Sequence, residues 1–333
     1  MPIITGQTAQ ASDFIDTSSG AGDQGKVPKL NLIGKIDNSC LPVKFGGNGS
    51  DGALSISSGT TTLNLGGSRV VIKNYTSISI TGTGILAFSN PHANGTILIL
   101  KSQGNVTLTS SSAPMIDASG IGSAVGNNAI FGTFFMNTCG AGGSGALYST
   151  PAPGAAGGAM TLSPSSAQLS QQLLKYPYLF VGSAGGPGGS AGGGPHSGGN
   201  GASGGGCLIM ECGGAWNFTT TNGISVAGLN GGNGVGQGSP NSGSGSGGGG
   251  GGGGCFIAFY NSLIANTGTV NSAGGNGGSG QFGGSGNYES SGGGGGAGLY
   301  PGGSSGTQNG GGAQGGQNGG AGFSLIAQNT EYI

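Results

Sequence analysis

Charge is the scarcest property of this chain. Its 333 residues carry 8 Lys+Arg and 9 Asp+Glu, and no Lys or Arg follows Lys175. Nucleic-acid binding requires cations that neutralise phosphates, so no nucleic-acid partner is expected. An anionic membrane surface is not expected for the C-terminal half on the same ground. No stretch approaches 18 apolar residues, so no membrane-spanning helix is expected. The opening MPIITGQTAQASDFID lacks the cationic start and apolar run of a secretory signal. Five cysteines (Cys40, Cys139, Cys207, Cys212, Cys255) form an odd, irregularly spaced set that signals neither a disulfide framework nor a metal site. They read as small buried apolar residues. Disordered chains combine high charge with low hydrophobicity, whereas 34% of this chain is hydrophobic.

What it has is glycine. Of 86 glycines, 59 lie from Val181 onward, which places a boundary near residue 180. Residues 1–44 hold nearly half of all the charge and read as an N-terminal attachment arm, or as ordinary strands and loops. Residues 45–145 read as a β-rich body, a sandwich or a solenoid. ALSISSGTTTLNLGG, SRVVIKNYTSISITG, GTILILKSQ and NVTLTSSS alternate apolar with Ser, Thr or Asn at period two. Residues 146–181 read as a connector with one short helix over 164–175. Ser163 caps it, Pro164 opens it, and Pro177 opposes its continuation. Residues 182–333 read as a glycine-rich repeat domain. The fold class is mostly β.

The glycine-rich half aligns on itself. SVAGLNGG (225–232) matches NSAGGNGG (271–278) at five of eight positions, at an offset of 46. GGGCLIMECG (204–213) matches GGGCFIAFYN (252–261) at an offset of 48. GGAGFSLIAQNTEY (319–332) is a degraded third copy. GTILILKSQGNVTLT followed by IDASGIG echoes the same order without the glycines. Repeats of this length imply stacked supersecondary units whose strands lie side by side. Cys207, Leu208, Ile209, Cys255, Phe256, Ile257, Phe323 and Leu325 would form the shared apolar layer, with Trp216 as core.

The glycines break the three-residue frame of collagen. An ordered alternative is the polyglycine-II conformation, with three residues per turn and no internal hydrogen bonds. Its N–H and C=O groups must then bond neighbouring segments. The competing reading is a disordered low-complexity tail. Self-pairing edges also allow a self-assembling extracellular filament or surface-layer subunit.

The runs GGPGGSAGGG, GGGGGGGGC, GGGGGAG and GGAQGGQNGG, punctuated by short variable loops, resemble the distal tail-fibre adhesins of T-even-like bacteriophages. That resemblance covers roughly 182–333. It implies a polyglycine-II sandwich, loops that carry host-receptor specificity, and a virion protein folded in the host cytoplasm and released by lysis. The expected partners are other copies of the chain, as a trimer or filament, and a bacterial surface receptor or glycan. Aromatics stranded in the glycine loops (Phe282, Tyr288 with Glu289, Tyr300) are the candidate receptor contacts; the alternative is that they plug the ends of the glycine bundle. His92 and His196 sit in turn contexts, and nothing pairs Asp51 with Asp117. No catalytic constellation, cofactor motif or metal-ligand spacing is found, so a non-enzymatic structural protein is expected.

Overall fold

Period-two alternation favours strands with one face buried, and the chain builds them in a repeating series. The computed structural model describes residues 45–127, 181–191, 197–236, 244–281, 292–298 and 315–329, with the backbone of four strands outside these ranges. Two of those, β1 (Phe14–Ile15) and β2 (Val27–Pro28), pair in parallel. The series begins with β3 (Ala53–Ile56) and β4 (Thr60–Asn64). It continues through β5 (Val70–Tyr75), β6 (Ser77–Ile80) and β7 (Ile85–Ser89), then β8 (Ile97–Ser102), β9 (Val106–Leu108) and β10 (Ile116–Asp117). The hairpin β11 (Ala129–Phe131) and β12 (Phe135–Cys139) is followed by the short β13 (Ser190–Ala191). After it come β14 (Cys207–Phe218), β15 (Ile224–Ser225), β16 (Ser244–Gly245), β17 (Cys255–Asn266), β18 (Val270–Asn271) and β19 (Phe323–Gln328). No helix occurs among the described residues, and the helix expected over 164–175 lies outside them.

Two parallel sheets organise these strands. One runs β18-β15-β10-β7-β4; the other runs β19-β17-β14-β9-β6-β3, with β8 on β14 and β5 on β8. The chain therefore winds. It passes along one strip (β5, β8, the first halves of β14 and β17, β19), turns into a second (β3, β6, β9, the second halves of β14 and β17), then a third (β4, β7, β10, β15, β18). It returns each time one strand further on. Cys207 pairs with Ile97 on one side and Cys255 on the other, and Cys255 pairs with Phe323. The first strand of the glycine-rich half thus shares a sheet with the β-rich body.

Like residues stack inside the coil. Ile78, Val106 and Trp216 form one buried column, and Ile80, Leu108 and Phe218 another. Trp216 stacks on Tyr260 at 6.3 Å and donates its indole N–H to Asn266 Oδ1 at 3.2 Å. The first strip is buried on both faces along β14. Leu208, Met210 and Cys212 face the main core, while Cys207 and Ile209 join Ile97, Val181, Cys255 and Ile257 in a second cluster. Burial on both faces explains why CLIM and CFIA read as continuous apolar runs. Glu211, buried among them, pairs with Lys101 at 2.9 Å.

Three insertions leave the coil at one corner, between the third strip and the next first-strip strand. They span 118–206, 226–254 and 272–322, and they carry most of the glycine.

Candidate functional site

A backbone without side chains can satisfy its hydrogen bonds only by close approach to other backbones. The insertions do this around one segment. Residues 246–254, which include the eight consecutive glycines Gly247–Gly254, are bonded to six others: 181–189, 197–206, 226–235, 272–281, 292–298 and 315–322. Gly249 donates to Gly186 (2.8 Å), Gly250 to Gln317 (2.9 Å) and Gly251 to Leu229 (2.9 Å). The carbonyls of Gly249, Gly250 and Gly251 accept from Ala202 (3.1 Å), Gly296 (2.8 Å) and Gly275 (2.8 Å). Successive bonds to one neighbour recur every third residue: Ser246, Gly249 and Gly252 donate to Gly189, Gly186 and Ser183.

The six neighbours also bond to one another in a closed ring. Gly185 donates to Ala202, Gly232 to Asn200, Gly231 to Asn276, Gly319 to Gly275, Gly320 to Gly296 and Gly186 to Gly294, all at 2.8–2.9 Å. This enclosure accounts for the glycines. A Cβ on Gly249, Gly250 or Gly251 would fall onto the carbonyl oxygen of Gly294, Gly275 or Ser203. Among the described residues every positive-φ glycine lies between Gly46 and Gly126. Glycine is therefore used in the array for space and not for left-handed backbone.

Segments on the rim keep a side chain where one of three directions is open. In 272–281 the exposed residues are Ala273, Asn276, Ser279 and Gln281. The asparagines have a task that the sequence reading did not assign. Asn230 Oδ1 accepts from the Asn276 N–H and Asn233 Oδ1 from the Ser279 N–H, both at 2.8 Å; Asn318 Oδ1 accepts from Gly277 at 2.9 Å. The signal was present in the repeated A-G-x-N-G-G, whose aligned Asn230 and Asn276 lie on adjacent segments.

The far end of the array, away from the coil, gathers several chain reversals. Ser190 and Ala191 pair antiparallel with Gly245 and Ser244; Ser197 bridges Val235, and Gly245 bridges Gln281. The expected contacts Phe282, Tyr288, Glu289 and Tyr300 lie outside the described residues. Phe282 to Glu289 belong to the connection between Gln281 and Gly292, and Gln281 is at the far end. Tyr300 follows Gly298, which is level with Gly252 and Ala321 at the coil end. His196 is also outside the described residues.

Of the expected apolar layer, Cys207, Leu208, Ile209, Trp216, Cys255, Phe256 and Ile257 are fully buried, while Phe323 and Leu325 are half-buried in β19. Burial pushes the Cys212 thiol up to about 11. Asp51 and Asp117 serve separate local structures: Asp51 bonds Lys73 and the Asn74 N–H, and Asp117 accepts from the Ser119 N–H. His92 Nδ1 accepts from the Asn94 N–H within its turn, and its Nε2 from Arg69 at 3.4 Å. Among the described residues no group of three His, Cys, Asp or Glu side chains is placed to hold a metal, and no helix is long and apolar enough to cross a membrane. Comparison with known protein families, curated proteins and solved structures finds no match to this chain.

Proposed function

We propose that the chain is a non-enzymatic structural protein that displays a polyglycine-II domain for attachment to a host surface, as a tail-fibre or adhesin-like virion component does. The observation that carries this reading is the bonding of the octaglycine segment to six neighbours at three-residue intervals. A polyglycine-II helix has three residues per turn and directs its N–H and C=O groups outward at 120° steps, so hexagonal packing is its natural company. Such an array projects its reversals from one end while the coil anchors the other. Nearly charge-free surfaces of Gly, Ser and Asn give trypsin no cleavage site after Lys175.

In this reading the far end meets the receptor, a bacterial surface protein or glycan, and Phe282, Tyr288 and Glu289 supply contact area. Aromatic side chains give large contact at modest entropy cost. The test is adhesion of purified protein to a panel of bacterial cells and isolated envelopes. Saturable binding that falls about tenfold in Tyr288→Ala, a loss of about 1.4 kcal/mol, and less in Tyr300→Ala, is the expected result. An absence of saturable binding across the panel removes the adhesin reading, whereas equal loss in both variants keeps it and removes the assignment of the contact to the far end alone.

A further inference from the structure

Asparagine followed by glycine loses its side-chain amide without a catalyst. The glycine nitrogen attacks the asparagine Cγ; the N–Cγ bond forms, the Cγ–Nδ2 bond breaks, and ammonia leaves with the proton from the glycine nitrogen. Water then opens the cyclic imide at either carbonyl, giving aspartate or isoaspartate, with nothing oxidised or reduced. Glycine favours the attack because no Cβ shields its nitrogen. The peptide group is planar, so ring closure requires the whole Asn–Gly plane to turn about the asparagine Cα–C bond. A hydrogen bond at either end of that plane, carbonyl or N–H, opposes the turn.

The chain has nine Asn–Gly pairs, and all but Asn309–Gly310 lie among the described residues. Seven of those eight planes are pinned. In the array, Gly231 donates to the Asn276 carbonyl (2.8 Å), Gly234 to Ser279 (2.9 Å) and Gly319 to Gly275 (2.8 Å). Gly277 donates to Asn318 Oδ1 (2.9 Å), and the Asn200 carbonyl accepts from Gly232 (2.8 Å). In the coil turns Gly95 donates to His92 (2.8 Å) and Gly223 to Thr220 (3.1 Å). Asn200, Asn222, Asn230, Asn233, Asn276 and Asn318 are exposed, so access to water does not separate these sites from the eighth.

The eighth is Asn48–Gly49. Among the described residues neither the Asn48 carbonyl nor the Gly49 N–H takes part in a hydrogen bond. Asn48 is exposed, and its Oδ1 accepts from the Ser50 N–H at 3.1 Å. That bond folds the side chain back over the following backbone, which brings Cγ toward the Gly49 nitrogen. We infer that Asn48 is the site of spontaneous deamidation in the folded chain, and that array and turns keep the other seven pairs silent. The inference is independent of what the far end binds.

The site is placed where the change is felt. Residues 46–51 cross three successive turns of the coil. Gly46 packs on Gly213 and Ser102, Gly47 on Lys101 and Asn74, and Gly49 on Gln103 and Thr76. The Gly46 N–H donates to Glu211 Oε2 at 3.3 Å, and Asp51 exchanges bonds with the Asn74 backbone at 2.7 and 2.6 Å. Isoaspartate at 48 lengthens the main chain by one carbon between the Gly47 and Gly49 contacts and adds a carboxylate near Asp51. Conversion therefore loosens this brace.

The test incubates the full chain, folded, in mildly alkaline buffer made with heavy-oxygen water. Peptide mapping by mass spectrometry then follows each Asn–Gly pair, since every event loses ammonia and gains one solvent oxygen. Asn48, in the tryptic peptide from Phe45 to Arg69, should convert at least about tenfold faster than any of the seven pinned pairs, equivalent to 1.4 kcal/mol. In denaturant the eight pairs should react at comparable rates. The melting temperature of the aged chain should fall, and that of Asn48→Gln, whose longer side chain does not form the five-membered ring, should hold. Conversion at Asn48 no faster than at the pinned pairs, or any pinned pair keeping pace with it in the folded chain, would overturn the inference. A melting temperature indifferent to full conversion would overturn the role of the brace.

Discussion

Alanine substitution along the glycine segments should report the packing around each one as a pattern of period three. In 272–281, a Cβ on Gly274, Gly275, Gly277 or Gly278 would land on the carbonyl oxygen of Gly319, Leu229, Gly316 or Gly232. Ala273, Asn276 and Ser279 between them are exposed. In 247–254 every direction is occupied, so the period should vanish and every position should be sensitive.

The magnitude follows for Gly250→Ala. The added methyl meets the Gly275 carbonyl. Relief moves the segment off its bonds to Gln317 and from Gly296, each worth about 1 kcal/mol net. Overpacking adds roughly 1–3 kcal/mol. Reduced freedom of the unfolded chain returns about 0.4–1 kcal/mol. The net loss is about 2–4 kcal/mol, a fall in melting temperature of roughly 3–6 °C for a chain of this length. Asn276→Ala, whose side chain makes no bond within the described residues, should shift the melt by less than about 0.5 kcal/mol equivalent. Thermal melts followed by circular dichroism across both segments provide the readout. A flat profile, or alanines that stabilise throughout as they do in a flexible linker, would refute the reasoning.

Other parts of the molecule give sharper single measurements. Lys101→Met removes the 2.9 Å ion pair to Glu211, whose side chain is 4% exposed and also accepts from the Gly46 N–H, and should cost about 1.5–3 kcal/mol in denaturant unfolding. Cys207, Cys212 and Cys255 are buried thiols; peptide mapping after labelling at pH 8 should find all three unmodified until the protein unfolds, most of all Cys212, whose raised pKa leaves almost no thiolate. The Asn74 N–H, together with Lys73, holds the Asp51 carboxyl below its ordinary value. A depressed carboxyl stabilises the fold above the unfolded value near 4 and loses that contribution as pH falls below it. Asp51→Asn should therefore be less stable than the parent at pH 7, and the difference should shrink steadily as pH falls below 4.

How much of this was legible depends on what each residue type can signal. The offset of 48 in the sequence is the ladder from Cys207 to Cys255, and the offset of 46 is the contact between Asn230 and Asn276. The echo of GTILIL and IDAS is likewise physical: Ile97 lies beside Cys207, and Ile116 beside Ile224. Self-similarity read along the chain is stacking in space. The parallel direction of the strands was not legible, because alternation in LSISS or SISIT is the same for either direction. Nor was the Glu211 pair with Lys101, since 110 residues separate them. The order of segments in the array left no mark at all, because glycine carries no pattern by which one segment could recognise another.

That silence explains why the array cannot organise itself. Ordering one backbone residue costs about 1–2 kcal/mol, and glycine lies at the upper end. A net hydrogen bond returns about 1 kcal/mol, so a glycine segment that makes one donor and one acceptor bond sits near balance. Register must come from elsewhere. Segment 197–206 runs directly into β14, 246–254 into β17 and 315–322 into β19, and those strands pair Cys207 to Cys255 to Phe323. The side chains that distinguish one register from the next are Leu208, Ile209, Phe256 and Ile257, all fully buried. A one-residue slip of β17 would turn Phe256 out of the main core and push Ile257 in. Eight glycines can therefore be identical because the apolar strand at their end already holds them in place.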